Sequence, residues 1–315
     1  MAHALSKIWA YKTWRQRIAI DDQGHYTMGY LSLPDEWEHN HLQPSLNGKS
    51  FLDVGANDGY FVFEAEKRGA KRILATDIYH QGRNGNTGGW NIEGIQILQE
   101  HFKSKVEILP KSIYDLHTLN EKFDVVLCTN VISWLDNMNE ALKQLSDACN
   151  ETLYLKDGFL TRYDPEPVLQ YEKGKALVAF RANLSYIKEV LGSHGFKRFQ
   201  VVPVISHRHF EWQMSTFPLV QSKQALTIFD VPDATSNSIQ KICDGQWILA
   251  EEGDFCFIKN TGWVRKSEVK IAPRGQKSWM GKMIKTLLSE EQYGDYIRRK
   301  GLEKYVKSYM VIAQK

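Results

Sequence analysis

A glycine turn flanked by acidic residues is the segment of this sequence best suited to ligand chemistry. Phe51–Tyr60 reads FLDVGANDGY, in which an apolar run passes into Gly55 and Gly59 before a helical pattern begins. Glycine allows a backbone to turn tightly and to approach a ligand closely. A second apolar run ends at Asp77, whose carboxylate can accept two hydrogen bonds from ribose hydroxyls. The spacing therefore predicts a nucleoside site at the ends of two neighbouring strands.

The acidic residues of the turn indicate which kind of nucleoside ligand it can bind. Asp53 and Asp58 would repel a pyrophosphate, and the third glycine of the dinucleotide fingerprint is missing. Two carboxylates suit a ligand that carries an ammonium and a sulfonium, which favours S-adenosylmethionine over NAD. The alternative is a Rossmann-like domain that binds another nucleotide or none, with Asp53 as a simple cap of the turn.

Short apolar runs alternate with helical patterns between residues 50 and 200. This alternation is typical of β-α-β units, which form a parallel sheet with helices on both faces and bind ligands beyond the carboxyl ends of the strands. The strand-like runs are Ser50–Val54, Arg72–Thr76, Lys105–Leu109, Phe123–Cys128, Thr152–Leu155 and Phe199–Val204. The helical patterns are Gly59–Arg68, Ile92–His101, Asn139–Cys149 and Leu184–Ser193.

The glycine turn resembles the first motif of class I S-adenosylmethionine-dependent methyltransferases, which release S-adenosylhomocysteine. In that resemblance Asp77 matches the acidic residue on the adenosyl ribose, and Tyr309–Gln314 looks like the final antiparallel strand. It implies a doubly wound α/β fold with a mostly parallel seven-stranded sheet. The predicted cofactor-binding residues are Asp53, Gly55, Ala56, Asn57, Asp58, Gly59, Asp77, Ile78, Ser112, Ile113, Thr129 and Asn130.

Several segments are similar, more narrowly, to the family of the tRNA wobble-uridine carboxymethyl-transferring enzyme. Proteins that resemble this family also include enzymes that act on small molecules and glycans. Where relatives tend to have an apolar-Tyr-His-Leu run, this chain reads Ile-Ser-Trp-Leu at residues 132–135. The segments that carry the similarity are Trp14–Ile18, Thr27–Gly29, Asp58–Phe61 and Arg68–Ala70.

The departure at residues 132–135 favours an oxygen or nitrogen of a small metabolite or glycan as the methyl acceptor. A tRNA-modifying enzyme is the alternative, and nucleic acid is the less favoured partner. The whole chain carries a formal net charge of only +3, but ten Lys or Arg against four Asp or Glu follow from Arg274 onward. This basic stretch is either a surface that binds RNA or a helical face that is exposed to solvent. A non-catalytic binding protein with a methyltransferase fold is a third interpretation.

Methyl transfer depends mainly on holding the acceptor near the methyl group, and a hydroxyl acceptor also needs a base. Candidates must follow the carboxyl ends of strands. The predicted catalytic residues are His207, His209 and Asp157, with surface or structural histidines as the alternative for the first two. The predicted substrate residues are Trp90, Trp134, Arg162 and Tyr163. His80–Trp90 holds four glycines and is either a mobile lid or a plain loop.

Residues 221–272 change to short strand-like pieces separated by turn signals, which predicts a small all-β barrel. The run Gly262–Val264 is similar to the usual signal of bacterial SH3-like domains. The predicted organisation is an N-terminal substrate or lid segment over 1–45, a methyltransferase core over 46–220, the barrel as an insertion over 221–272, and C-terminal helices with the last core strand over 273–315.

The remaining composition excludes several classes of protein. The four cysteines have neither C-x-x-C spacing nor nearby histidines at metal-ligand spacing, so no metal site is expected. No apolar run reaches the length of a signal peptide core or a membrane span. We therefore expect a cytoplasmic enzyme without a membrane span, and the sequence leaves a homo-oligomer open.

Overall fold

The computed structural model of the chain divides into two compact units. The sheet unit comprises Glu36–Gln81, Lys105–Ser206 and Leu287–Lys315, and the small-strand unit comprises Met1–Asp35, Gly82–Ser104 and His207–Thr286. The residues that the structure describes are 2–11, 13–29, 36–78, 92–159, 166–173, 178–204, 219–221, 225–229, 235, 238–242, 248–252, 254–258, 262–272 and 308–315.

The sheet unit is built on a seven-stranded sheet with the order β3-β2-β1-β4-β5-β16-β8. Strands β1 to β5 run parallel, and β16 pairs antiparallel with both β5 and β8. The strands are β1 (Ser50–Val54), β2 (Arg72–Asp77), β3 (Glu107–Pro110), β4 (Phe123–Thr129), β5 (Cys149–Asp157), β8 (Arg198–Val204) and β16 (Ser308–Gln314). The predicted doubly wound, mostly parallel seven-stranded sheet is thus confirmed.

Strand order reverses between β1 and β4, and this point determines where a ligand can bind. The chain moves outward from β1 to β2 and β3, then returns to place β4 on the other side of β1. In the strand register, Val54 pairs with Thr76 of β2 on one side and with Cys128 of β4 on the other. All five residues of β1 are buried, as expected for a central parallel strand covered on both faces. A crevice outside the carboxyl ends of β1 and β4 is the expected ligand site.

Helices cover the sheet and are started by local signals. Asn137 accepts a hydrogen bond from the Glu140 amide at the start of α5, and Asn183 caps α6 in the same way. The helices of this unit are α2 (Glu36–His39), α3 (Tyr60–Lys67), α5 (Met138–Asp147) and α6 (Leu184–Ser193), with two 3-10 helices at Ile113–Leu119 and Ile132–Trp134. The apolar faces of α5, α6 and the two 3-10 helices form one buried cluster with the sheet.

The sheet unit differs from the sequence prediction at the start of β3, which is Glu107 rather than Lys105, and at the end of α5, which is Asp147 rather than Cys149. Two larger differences concern its strands. Strand β5 begins three residues earlier than predicted and continues to Asp157. Its early residues Asn150 and Glu151 are exposed polar side chains, which give no apolar strand signal in the sequence. An antiparallel hairpin of β6 (Leu169–Lys173) and β7 (Val178–Ala182) was not predicted at all. Neither strand has the continuous apolar run that identifies a buried strand from sequence.

The small-strand unit contains α1 (Ala2–Ala10), α4 (Ile92–Phe102) and two antiparallel sheets. Lys7 on α1 and Glu100 on α4 form a salt bridge of 3.0 Å, while Trp9 packs edge-to-face on the buried Trp263. The five-stranded sheet has the order β11-β10-β14-β13-β12, and β9 pairs with β15. These strands are β9 (Leu219–Gln221), β10 (Ala225–Phe229), β11 (Ser238–Ile242), β12 (Ile248–Glu252), β13 (Phe255–Ile258), β14 (Gly262–Arg265) and β15 (Lys270–Ala272).

The antiparallel strands lie where short strand-like pieces were predicted. The similarity to SH3-like domains and the predicted domain boundaries stay predictions. The helical pattern expected after Arg274 falls outside the described residues. Among the described helices, none combines the length and the apolar character that crossing a membrane requires. Within the described part of the chain, Cys128 and Cys149 are buried free thiols, and no group of His, Cys, Asp and Glu is arranged to hold a metal ion.

Candidate functional site

The glycine turn leaves the carboxyl end of β1 in a conformation that requires small residues. Gly55 and Gly59 have φ values of +87° and +92°, in the left-handed region that glycine adopts without strain. A Cβ atom on Gly55 would overlap Cγ2 of Val131, so a larger residue there would have to displace that side chain. The amides of Gly55 and Ala56 donate to the Thr76 carbonyl at 2.8 and 3.1 Å. The turn is therefore fixed to the end of β2 on one side and pressed against the loop after β4 on the other.

Asp77 ends β2 and links the glycine turn to the neighbouring strand. Its Oδ2 atom accepts a hydrogen bond of 3.0 Å from the amide of Asn57, which has a positive φ of 55°. Its own carbonyl accepts from the Lys111 amide at 2.9 Å. The next residue, Ile78, exposes its apolar side chain. A carboxylate followed by an exposed apolar side chain is the arrangement expected for a ribose next to a base.

Asp53 is the group that most clearly lacks a partner. Its side chain is 1% exposed, and neither carboxylate oxygen has a hydrogen-bond partner within the described structure. Burial, and then the charge of Asp77, raise the pKa of Asp53 well above its ordinary value. A buried carboxylate without a donor is costly unless a cation or a proton neutralises it. The site therefore fits a positively charged ligand.

Three carboxylates act on one buried position at this edge of the sheet. The pKa of the Cys128 thiol in β4 is raised first by burial and then by the charges of Asp157, Asp53 and Asp77. The carboxyl ends of β1, β2 and β5 thus bring acidic groups near the end of β4. Such convergence of titratable groups with perturbed pKa values is typical of functional sites.

The other predicted cofactor residues occupy two kinds of position. Ala56 and Asp58 are buried within the turn. Ser112 accepts a hydrogen bond from the Tyr114 amide at 3.2 Å and so caps the first 3-10 helix. The Ile113 side chain is part of the buried core. Any contact between this position and a ligand is therefore made by neighbouring groups and not by the Ile113 side chain.

On the acceptor side, the loop after β4 and the end of β5 lie together. The Asn130 amide donates to the Lys156 carbonyl at 2.7 Å, next to Thr129 at the end of β4. Asp157 is buried, and its carboxylate accepts from the amides of Ser133 at 3.1 Å and Gly158 at 2.7 Å. Burial raises the pKa of Asp157 despite these hydrogen bonds. Trp134 is 59% exposed on the 3-10 helix that follows β4.

Not every predicted residue can be placed. His207, His209, Trp90, Arg162 and Tyr163 lie outside the described residues. Their roles stay predictions.

Two residues of the site were missed from the sequence. The Tyr114 hydroxyl donates to Asp136 at 2.8 Å and accepts from the Asn137 amide at 3.1 Å, which joins the segment after β3 to the loop after β4. The buried Lys156 forms an ion pair of 3.0 Å with the partly buried Glu36. Neither residue has a spacing that singles it out, because each partner is distant in sequence.

Comparison with known families agrees with this geometry. A family model described as "Methyltransferase domain" matches residues 33–217, which is more than half of the chain. The chain belongs to this methyltransferase family. The match spans the glycine turn, both acidic strand ends and the loop after β4, so the predicted fold class and enzyme class of the methyltransferase are confirmed.

Curated relatives of the methyltransferase share low identity with it, over shares of the chain that differ widely. A tRNA U34 carboxymethyltransferase from Helicobacter pylori strain G27 is 26% identical over 251 residues, covering 74% of this chain and 87% of the relative. The protein of the same name from Campylobacter hominis is 28% identical over 124 residues, covering 38% of this chain and 40% of the relative.

Solved structures include a magnesium protoporphyrin IX methyltransferase from Synechocystis PCC 6803 with bound S-adenosylmethionine. It has 16% identity and a TM-score of 0.37, and covers 50% of this chain and 64% of that chain. An S-adenosylmethionine-dependent methyltransferase from Mesorhizobium loti has 12% identity and a TM-score of 0.40, and covers 54% of this chain and 84% of that chain.

Proposed function

We propose that the methyltransferase moves a methyl group from S-adenosylmethionine to an oxygen or nitrogen of a small metabolite or glycan. The observation that carries the choice of cofactor is the buried carboxylate of Asp53, which has no donor of its own and lies beside a turn tied to Asp77. A cationic adenosyl ligand explains why two carboxylates are kept close together at the switch point of the sheet.

The residues at the glycine turn each contact a different part of S-adenosylmethionine. Asp77 holds the ribose hydroxyls, because a carboxylate can accept from two donors at once. Gly55 and Gly59 keep the backbone free of side chains where the ligand approaches. Asp53 neutralises the positive charge of the amino acid part of the ligand. When bound, S-adenosylmethionine supplies a methyl group on a positively charged sulfur that an acceptor atom can attack.

Asp157 is the described residue that is best placed to take a proton from the acceptor. Burial raises its pKa, and a carboxylate with a raised pKa is a stronger base than a solvated one. Its oxygens already accept from the Ser133 and Gly158 amides, which fix the carboxylate in one orientation. His207 and His209 remain the alternative bases, and an amine acceptor that is already deprotonated needs none.

Charge at the carboxyl edge of the sheet supports an acceptor without phosphates. The described side chains there include five carboxyl groups, set against the guanidinium of Arg181, whose charge acts on Asp157. This excess of acidic groups disfavours a polyanion such as RNA. The five carboxyl groups are those of Asp53, Asp58, Asp77, Asp136 and Asp157. Neutral or cationic acceptors meet no such penalty.

A tRNA acceptor is the second candidate. It is favoured by the curated relatives, which are tRNA U34 carboxymethyltransferases, one of them aligned over 87% of its length. The basic stretch from Arg274 would then supply the phosphate contacts. Binding to tRNA through such contacts would weaken steeply with added salt.

Labelled S-adenosylmethionine, incubated with the methyltransferase and cell extract, tests both candidates. Label in the metabolite or glycan fraction supports the first proposal, and label in the RNA fraction supports the second. Calorimetric binding of S-adenosylmethionine that Asp77→Ala abolishes is expected in either case. Absence of binding by the unaltered chain would refute the proposed cofactor, and with it the enzyme that we describe.

A further inference from the structure

A tryptophan side chain is held in solvent at the carboxyl end of β4. Trp134 exposes 59% of its surface, more than any other large apolar residue that the structure describes in the sheet unit. It ends the 3-10 helix Ile132–Trp134, whose first residue is anchored in the core. An exposed indole on an ordered segment marks a surface that is suited to a partner.

The backbone that presents Trp134 is fixed from several directions. The amide of Trp134 donates to the Val131 carbonyl at 3.0 Å, and the preceding amide of Ser133 donates to Asp157 at 3.1 Å. On the other side, the Tyr114 hydroxyl bridges the side chain of Asp136 and the amide that follows it. The indole is therefore displayed by a preorganised turn, which lowers the entropic cost of binding a ligand.

The same turn borders the cofactor motif. Val131 begins it and occupies the space that a Cβ atom on Gly55 would need. A ligand on the indole of Trp134 would thus lie next to the glycine turn and to Asp157, at the edge of the sheet where the methyl donor is proposed to bind.

We propose that Trp134 is the stacking platform for an uncharged, hydroxylated ring of the acceptor, such as a sugar unit. The inference rests on the proposed methyl transfer. The apolar face of such a ring packs on the indole, and its hydroxyls donate to carboxylates like that of Asp157. Charge complementarity argues for this occupant, because the carboxyl groups of Asp136 and Asp157 border the turn of Trp134 and the guanidinium of Arg181 already acts on Asp157. An uncharged ring meets neither the repulsion nor the competition for Arg181 that a phosphate-bearing ring would meet.

Saturation-transfer NMR with methyl glycosides tests the platform in the full chain saturated with S-adenosylhomocysteine. We expect at least one methyl glycoside to bind at millimolar concentration, with aromatic protons of the protein as the source of transfer. Trp134→Ala should weaken it by about tenfold, while Trp134→Phe should keep most of the affinity because a flat ring remains. Leu169→Ala, at an exposed apolar residue on β6, is the matched control and should change nothing.

Two kinds of result overturn the inference. One is a lack of binding by every glycoside in the panel, and the other is glycoside binding that Trp134→Ala leaves unchanged. Calorimetry of the cofactor on the same variants separates this failure from failure of the proposed function. If S-adenosylhomocysteine binds the unaltered chain normally and no glycoside binds, only the platform is refuted. Stacking of bulk tRNA on Trp134 in place of a glycoside would also refute the stated occupant.

Discussion

Replacing Asp53 by asparagine separates the binding role of this carboxylate from any role in stability. In the ligand-free chain, burial and the charge of Asp77 disfavour the ionised form of Asp53. A carboxyl group whose pKa is higher in the folded chain than in the unfolded chain stabilises the folded state. This stabilisation is fully present at pH values below the pKa that the group has in the unfolded chain. That contribution is lost as the pH rises through the folded pKa, because the unfolded chain gives up the proton more readily. Asparagine cannot ionise, so this loss disappears in the variant.

The expected magnitudes have opposite signs for folding and for binding. Leaving a buried polar group without a partner costs about 1–3 kcal/mol, and a charged group costs more. We therefore expect Asp53→Asn to raise the free energy of unfolding of the ligand-free chain by about 1 kcal/mol at pH 8. A hydrogen bond to a charged group contributes about 1.5–3 kcal/mol, so the variant should bind S-adenosylmethionine roughly 10- to 150-fold more weakly.

Thermal unfolding between pH 5 and pH 9, with and without ligand, measures both effects. The melting temperature of the ligand-free variant should exceed that of the unaltered chain by an amount that grows with pH. Asp124→Asn is the matched control within the same sheet. Asp124 is partly buried, which alone would raise its pKa, but hydrogen bonds from Ser50 lower it below the ordinary value.

The control should therefore behave in the opposite way. Asp124 contributes stability above the unfolded pKa that is lost as the pH falls through the lowered folded value, so its replacement should destabilise the chain at neutral pH. Asp53→Asn would refute the reasoning by destabilising the ligand-free chain at pH 8 or by leaving the affinity for S-adenosylmethionine unchanged. The first result would mean that the carboxylate has a partner in the ligand-free protein, and the second would mean that it makes no contact with the ligand.

Three further predictions follow from the geometry of the turn. Asp77→Asn should weaken S-adenosylmethionine binding at least tenfold in calorimetry. The side-chain amide accepts fewer hydrogen bonds than the carboxylate, which already accepts one from the Asn57 amide. Unchanged affinity would contradict the role of Asp77 in binding the ribose. Gly55→Ala should lower the melting temperature and abolish cofactor binding, because its Cβ would press on Val131; normal binding would show that the loop can yield. Tyr114→Phe should lower kcat by severalfold while the dissociation constant for S-adenosylmethionine stays the same, because only the loop after β4 loses an anchor; an equal loss in cofactor affinity would contradict that division.

Much of the cofactor side was predictable because it depends on local signals. A buried strand, a glycine turn and an acidic residue at the end of the next strand follow one another within Phe51–Asp77. Parallel pairing of β1 with β2 then brings the acid to the turn without any long-range information. The final strand was also predictable, since Tyr309–Ala313 is an apolar run of strand length.

The acceptor side was harder to predict because its contacts join distant parts of the chain. The Ser133 amide meets a carboxylate twenty-four residues away, and Tyr114 reaches a carboxylate twenty-two residues away. The ion pair between Lys156 and Glu36 joins residues 120 apart. No periodicity or motif connects such residues, so only the folded sheet brings them together. The hairpin of β6 and β7 was missed for a related reason, since its strands lack a continuous apolar run.

A crystal structure of the chain with S-adenosylhomocysteine tests the central claim most directly. We expect the ribose hydroxyls within hydrogen-bond distance of the Asp77 carboxylate, the amino group of the ligand near Asp53, and the glycine turn of residues 55–59 against the ligand. A ligand bound elsewhere, or a ribose remote from residue 77, would contradict the assignment of this edge of the sheet as the cofactor site.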